Sequence, residues 1–324
     1  MVARRLGLLG LGLAMVAWAA TPAAAQTYPT RPVRILNGYA AGGGMDVTAR
    51  LLAQHLSVLW GQSVVVENKP GAAGMIGAAA AAQATPDGYT LLVVTNTHAV
   101  DPLLHKTMAY DPFRDFTPIA QIGFVPNVLL AGKAAPWRTL GEFMAAARAK
   151  PGTISYGAPG LGSPSHLSAV LFLHTAGLDL VAVQYKGGAL SLQAVMAGEV
   201  PVSMNNLAEA VPQVAAGTVR ALGVATTERV PQLPDAPTIA EQGVPGYEAG
   251  IWYSLLGPAG LPPPIVAKVH GDVMRVLALD AVKTRLADLA VQAHGAGPDA
   301  VAARMRAENE KWAPVIKAAN IELD

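Results

Sequence analysis

The chain has 324 residues, 52% of them apolar and 14% charged, with no cysteine and a formal net charge of +1. That supplies material for one large core or two ordinary ones, and it excludes disulfides, thiolate catalysis and cysteine-ligated metals. No basic block stands out, which argues against a nucleic-acid partner.

Residues 1–25 read as a signal peptide. Arg4 and Arg5 precede an uncharged run from Leu6 to Ala20, and Ala23-Ala24-Ala25 ends the segment as an A-x-A cleavage site. The run is short for a membrane span. Sec and twin-arginine export both stay open. Cleavage after Ala25 lowers the basic count from 23 to 21 against 22 acidic residues, a mature charge of about −1. No other long uncharged apolar span follows, so the mature protein is expected to be soluble and periplasmic.

Val33 to Leu36 reads as a strand and is followed by Tyr39-Ala-Ala-Gly-Gly-Gly-Met-Asp46. Helical spacing then begins with Val47, Leu51, Leu52, Leu56 and Leu59. A strand, a glycine turn and a helix start gather unpaired backbone N–H groups around one point. Such a turn holds an anion without any cationic side chain. None of Tyr39 to Asp46 is Lys or Arg, and Asp46 suits a capping role at a helix start. By itself the stretch fits a plain connection as well as an anion cradle.

A strand at Val64–Val66, a turn at Asn68–Gly71 and an alanine-rich helix from Gly71 to Ala82 come next. Asp87-Gly88 leads to a third strand, Tyr89–Val94, ending in Thr95-Asn-Thr-His98. Strands alternating with helices indicate a parallel α/β unit, whose ligands bind beyond the strand C-termini. After a looser section, Val125–Leu130 is apolar and extended, and Thr139 to Lys150 is helical. A second α/β series starts at Ile154–Tyr156. Its turn, Gly157 to His166, places Ser163 at an N-cap and Pro164 at the first helical position. The N–H groups of Ser165 and His166 are expected to be free there. Strands at Leu180–Val183, Val200–Met204 and Arg220–Ala225 follow, with a helix from Leu207 to Ala216. Pro231 to Pro245 reads as surface loop and linker. Ile251–Leu256 is extended, and helices are expected near Pro263–Leu277, Asp280–Leu289 and Pro298–Ala319. The two extended segments bracket the second series, as crossover strands between two lobes would.

No G-x-S-x-G, H-E-x-x-H or G-x-x-x-x-G-K-[ST] occurs. The glycines from Gly71 to Gly77 have the wrong spacing for a dinucleotide turn and fit helix packing better. The histidines lack metal-ligand spacing, and His98 and His166 are the pair expected to approach one another. Ser163 and His166 read as a capping pair before a nucleophilic one. Asn205 and Asn206 fit a post-strand turn and a ligand contact equally. Trp252 reads as core, and Lys186 as a solvated loop charge.

Several stretches together resemble the Bug/TctC family of solute receptors of tripartite tricarboxylate transporters. They are Tyr28–Arg34 (YPTRPVR), Tyr39–Asp46, Val65–Gly74 (VVENKPGAAG), Pro86–Leu91 (PDGYTL), Ser155–Gly157, Gln184–Gly187 and Pro234–Tyr247 (PDAPTIAEQGVPGY). The resemblance covers essentially all of the mature chain. It implies an α/β, two-lobe periplasmic-binding-protein fold of type II-like form. Each lobe is a mainly parallel sheet flanked by helices, and two crossover strands join them. Lobe one would comprise residues 26–126 and 250–324, and lobe two residues 127–249.

By resemblance, main-chain amides of Ala40, Ala41, Gly42 and Gly43, beside Tyr39, hold a ligand carboxylate, with Asp46 fixing the turn. Thr97 and His98 fit the third-strand loop; Gly162, Ser163 and His166 fit the second-lobe turn; Asn205 and Asn206 stand where many members have Asp-Asn. Gly44-Met45 replaces a common Pro-Thr or Pro-Ser pair, and Leu161 stands near a common Asn. Fewer polar side chains and one fewer carboxylate suggest a ligand more apolar or more anionic than a simple amino acid. The expected function is non-catalytic binding of a small organic acid by a monomer, with no cofactor and no metal, and delivery to a membrane transporter. A sensory receptor presenting a carboxylate to a signalling partner is the alternative. A secreted hydrolase using Ser163 and His166 ranks below both.

Overall fold

The computed structural model describes residues 28–323; the signal peptide expected over residues 1–25 lies outside them. Three parallel strands open the fold: β1 (Val33–Asn37), β2 (Val64–Asn68) and β3 (Thr90–Val94), with β1 between the other two. The intervening helices are α1 (Gly44–Trp60) and α2 (Met75–Ala82), and α3 (Thr97–Leu104) follows β3. Ile35 and Leu36 point to opposite faces of β1 and both are buried, as expected of an internal strand with helices on both sides.

A 17-residue strand, β4 (Phe116–Gly132), comes next, then α4 (Leu140–Ala149), β5 (Ser155–Pro159), α5 (Pro164–Ala176) and β6 (Val181–Tyr185). They are followed by α6 (Gly188–Ala197), β7 (Val202–Asn206), α7 (Leu207–Ala215) and β8 (Val219–Val224). The chain ends with β9 (Gly250–Pro258), α8 (Pro263–Ala278), α9 (Asp280–Asp288), β10 (Gln292–Ala296) and α10 (Pro298–Ala319). The strands form one curled mixed sheet in the order β2-β1-β3-β9-β4-β7-β5-β6, with β8 and β10 also paired to β4. β4 changes partner along its length. From Phe116 to Pro126 it runs antiparallel to β9, and from Asn127 to Ala131 antiparallel to β7.

Two extended segments were expected at Val125–Leu130 and Ile251–Leu256; they are the inner parts of β4 and β9. β4 begins earlier, in a stretch whose Pro118, Gly123 and Pro126 obscure a strand pattern. Register shifts between Pro118 and Ala120 and between Gln121 and Gly123 accommodate those residues. β10 carries little strand propensity and was not expected. Pro231 to Pro245 is not a surface loop: Leu233, Ala236, Ile239 and Val244 are buried. Each proline-punctuated turn sends an apolar residue inward, and Ile239 N–H bonds the Val224 carbonyl at 2.8 Å.

Around the first three strands, Leu52, Leu91, Val93 and Leu255 pack on one face, and Leu92, Ala78 and Trp252 on the other. Around β5 and β7, Phe143, Phe172, Met204 and Tyr247 form one layer, and Leu130, Val195 and Leu207 a second. The last helix joins both regions. Val301 and Met305 belong to the Trp252 cluster, whereas Trp312, Val315 and Ile316 belong to the Phe172 cluster. Among the described residues, no helix is long and apolar enough to cross a membrane.

Candidate functional site

The first glycine turn is held from beneath by one carboxylate. Asp46 Oδ2 accepts the Gly42 N–H and the Arg50 Nε–H, each at 2.9 Å, and its Oδ1 accepts from Asn68 Nδ2 at 2.8 Å. Asn68 also donates to the Tyr39 carbonyl at 3.0 Å. Burial works to raise the Asp46 pKa, but the Arg50, Gly42 and Asn68 hydrogen bonds outweigh it and bring the group down to about 2. Asp46 is therefore a scaffold anion, and it takes the Gly42 N–H out of reach of any ligand. The N–H groups of Ala40, Ala41, Gly43 and Gly44 have no acceptor among the described residues, and residues 40–44 are exposed. Gly43 is the N-cap of α1 and supplies no side-chain cap, so the helix start stays open. Arg50, the nearby cation, is committed to Asp46 and Asn68.

Tyr39 ties this turn to its neighbours. Its hydroxyl lies 2.8 Å from Thr95 Oγ1 and 2.9 Å from Thr97 Oγ1, and the two threonine oxygens are 2.8 Å apart. Three hydroxyls in a ring at these distances are able to satisfy one another, since each can both donate and accept. The Tyr39 ring also packs on Gly74, where a Cβ would come within 3.2 Å of Cζ. One side chain thus joins the turns that follow β1, β2 and β3. Thr97 and His98, expected at the ligand, lie behind the turn instead. Thr97 is buried with its hydroxyl in the ring. His98 is buried, stacked on Tyr110 at 5.4 Å and edge-on to Phe116 at 4.8 Å, and desolvation lowers its pKa to about 3.

The second turn is built as expected at its cap. The Ser163 hydroxyl accepts the His166 N–H at 3.2 Å and donates to the Pro159 carbonyl, with Pro164 opening α5. Gly160 and Gly162 take φ of +66° and +74°, conformations that favour glycine. His166 Nδ1 accepts the Gly162 N–H at 3.2 Å, which places the imidazole proton on Nε2. Desolvation lowers the His166 pKa to about 4. The Ser163 proton goes to a carbonyl and the imidazole to a backbone amide, so the two side chains do not form a nucleophile–base pair. His166 N–H was expected to be free, yet the Ser163 cap uses it, leaving Ser165 N–H at this helix start. No hydrogen bond or ring contact joins His98 to His166 among the described residues.

Asn205 and Asn206 are engaged within the fold. Asn205 Oδ1 accepts from Ser203 Oγ at 2.5 Å, and its Nδ2 donates to the Gly188 carbonyl at 2.9 Å and to Glu209 Oε2 at 3.2 Å. Asn206 caps α7, accepting the Glu209 N–H at 3.0 Å. The Glu209 carboxylate occupies the space where a Gly188 Cβ would stand, so the α6 start is filled by an internal anion.

The two open turns share one support. A Cβ on Gly44 would lie 3.2 Å from the Tyr253 hydroxyl of β9. At the α5 start, Ser165 Oγ donates to Asn127 Oδ1 of β4 at 3.2 Å, and Asn127 Nδ2 donates to Ser168 Oγ at 2.6 Å. Asn127 N–H bonds the Ala249 carbonyl at 3.3 Å, four residues from Tyr253 along the same chain. Both helix starts therefore abut the β4–β9 ladder. Asn68, Asn127 and Glu209 are the site-building residues that sequence reasoning missed, and Thr95 was placed in the third-strand loop without a role of its own. Thr95-x-Thr97 at a strand end was the one local signal available. Among the described residues, no group of His, Asp and Glu side chains is arranged to hold a metal ion.

Parallel strand–turn–helix units on either side of a long antiparallel ladder, with open helix starts abutting it, define a periplasmic-binding-protein fold. The model of the tripartite tricarboxylate transporter family receptor, TctC, matches residues 48–321, and the chain belongs to that family. BugT of Bordetella pertussis is 31% identical over 322 residues, which span 99% of this chain and 98% of BugT. Among solved structures, a protein of R. palustris with adipate is 38% identical with a TM-score of 0.80, covering 91% of this chain and all of that one. MatC from Rhodopseudomonas palustris with bound malate is 35% identical with a TM-score of 0.76, covering 89% of this chain and all of MatC.

Proposed function

We propose that this chain is a periplasmic receptor that captures a small organic acid between two lobes, without catalysis, and delivers it to a tripartite transporter in the membrane. Of the described residues, 28–126 with 250–323 form one lobe and 127–249 the other, with β4 and β9 as the hinge strands and α10 strapped across both. The observation that carries the reading is the first turn, where four backbone N–H groups at an uncapped helix start have no acceptor among the described residues. A carboxylate satisfies such a group of donors and gains from the helix dipole. At the α5 start the Gly160 and Gly162 N–H groups are taken by the Tyr185 carbonyl and His166 Nδ1, so the Ser165 and Leu161 N–H groups are what it offers as a second polar end across the ladder. Adipate and malate in the two related structures support a carboxylate ligand, and the family supports a transporter partner. The capping bonds of Ser163 and His166 favour binding over hydrolysis.

A thermal-shift screen of unfolded and refolded, ligand-free protein against mono-, di- and tricarboxylates tests the reading. A ligand at a hundred times its dissociation constant adds about 2.7 kcal/mol, a readable rise in Tm. No shift with any carboxylate overturns the proposal.

A further inference from the structure

Behind the first turn lies a small cavity, apolar over part of its wall, that ligand contact alone does not explain. It has a volume of about 10 Å³ and is walled by Tyr39, Thr95, Thr97, His98, Asp101 and Tyr110, among others. Asp101 is 2% exposed and reaches one partner, the Tyr110 hydroxyl, at 3.4 Å from Oδ2. Its Oδ1 and His98 Nε2 are buried without a hydrogen bond. A cavity of this size, with two unpaired polar atoms on its wall, suits one water molecule.

Among the described residues that line the cavity with Asp101, none is Lys or Arg. Tyr39 comes from the glycine turn, His98 from the same helix, and Tyr110 from the segment before β4. His105 donates its backbone N–H to the Asp101 carbonyl at 3.0 Å. From α2 the wall is apolar Ala78. α10 packs along α3 through Asn309, whose Nδ2 donates to the Ala99 carbonyl at 2.9 Å. Of the α10 charges, Arg304 pairs with both Glu308 and Glu248. A carboxylate in such a place is poorly compensated when ionised, and its charge is felt at Tyr39, the residue that begins the turn.

We propose that carboxylate capture at the first turn is linked to protonation of Asp101. The neutral carboxyl is the competent form, and its ionisation weakens the hold of the turn on an anion. The linkage rests on the carboxylate reading above. Tyr39 carries it, since its backbone begins the turn and its side chain walls the cavity. Burial moves the Asp101 pKa up to about 7, with the Tyr110 hydrogen bond opposing, so the change falls within the neutral range. By reciprocity, a bound carboxylate raises the proton affinity of Asp101.

The test is calorimetric titration with adipate from about pH 6 to about pH 9, where its own carboxylates stay ionised. Wild-type affinity should fall on the order of three- to tenfold as pH rises across this range, and Asp101→Asn should abolish that fall. A flat wild-type profile, or an identical fall in the variant, overturns the linkage while leaving carboxylate binding intact. Failure of adipate, malate and the other screened carboxylates to bind at any pH instead removes the functional reading, and the linkage with it. Carbon-13 NMR of the wild-type Asp101 carboxyl provides a readout independent of the variant's folding. Its midpoint should rise when adipate is added, and an unmoved midpoint in the adipate complex overturns the proposal.

Discussion

The Asp46 carboxylate and the Gly42 N–H meet at 2.9 Å, so the first turn is closed by an internal anion that leaves its outer donors free. Gly42 sits at φ +84° with open space around a notional Cβ. A side chain there is opposed by torsion and not by collision. Gly42→Val should therefore cost about 1–2 kcal/mol of stability and tilt the Ala40–Gly44 amides away from their common point. Asp46→Asn keeps an oxygen for Gly42 while losing the charge that Arg50 pairs with. Urea denaturation and adipate affinity, measured on both variants, should show Gly42→Val as the more damaging to binding. The reverse order would mean that the carboxylate matters more than the torsion.

Much of this arrangement was legible because it is local. Ser163 followed by Pro164 announces a helix start within two residues, and the runs that become β1, β3 and β7 carry their own turn signals. What escaped was made by distant partners. Nothing near Tyr39 says that its hydroxyl will meet Thr95 and Thr97, since the bond depends on the parallel pairing of β1 with β3. Asn205 looked equally suited to a ligand until β7 placed it against Gly188 and Glu209. Residues 231–245 looked like linker because proline content outweighs scattered apolar residues in any pattern count, although those residues reach the core.

The glycines of the segment after β2 allow backbones to touch. A Cβ on Gly77 would fall 2.8 Å from the Gly38 Cα, a main-chain neighbour that cannot rotate aside. Gly77→Ala should destabilise by about 1–3 kcal/mol. Gly141→Ala is the contrasting case: it lies in α4, and its nearest neighbour would be Thr139 Oγ1 at 3.9 Å. That change should stabilise by about 0.5–1 kcal/mol. Chemical denaturation of the two variants should displace the midpoint in opposite directions.

Ser163→Ala removes the hydroxyl that accepts the His166 N–H at the α5 start. The loss should be about 1 kcal/mol, typical of an N-cap, and should appear as a lower Tm. Because Asn127 holds Ser165 and Ser168 independently, α5 should stay in place and adipate should still bind. Abolished binding with an unchanged Tm would assign Ser163 to the ligand.

The buried groups of α3 and α5 predict a stability profile in which opposite slopes overlap. Desolvation raises Asp101 from 3.8 to about 7, so its neutral form is favoured by folding and stability is lost as pH rises from about 4 to about 7. Desolvation lowers His98 from 6.5 to about 3 and His166 from 6.5 to about 4. Their neutral forms are favoured by folding, so each contributes stability that is lost as pH falls below 6.5. Between about pH 4 and pH 6.5 the unfolded chain therefore binds two extra protons at the histidines and one fewer at Asp101. One histidine slope is cancelled. Asp101→Asn removes the cancellation, so its stability should rise more steeply with pH than the wild type's, by about 1.4 kcal/mol per pH unit. Urea denaturation at several pH values across this window measures the difference. Equal slopes would mean that Asp101 ionises in the folded protein as readily as in the unfolded chain.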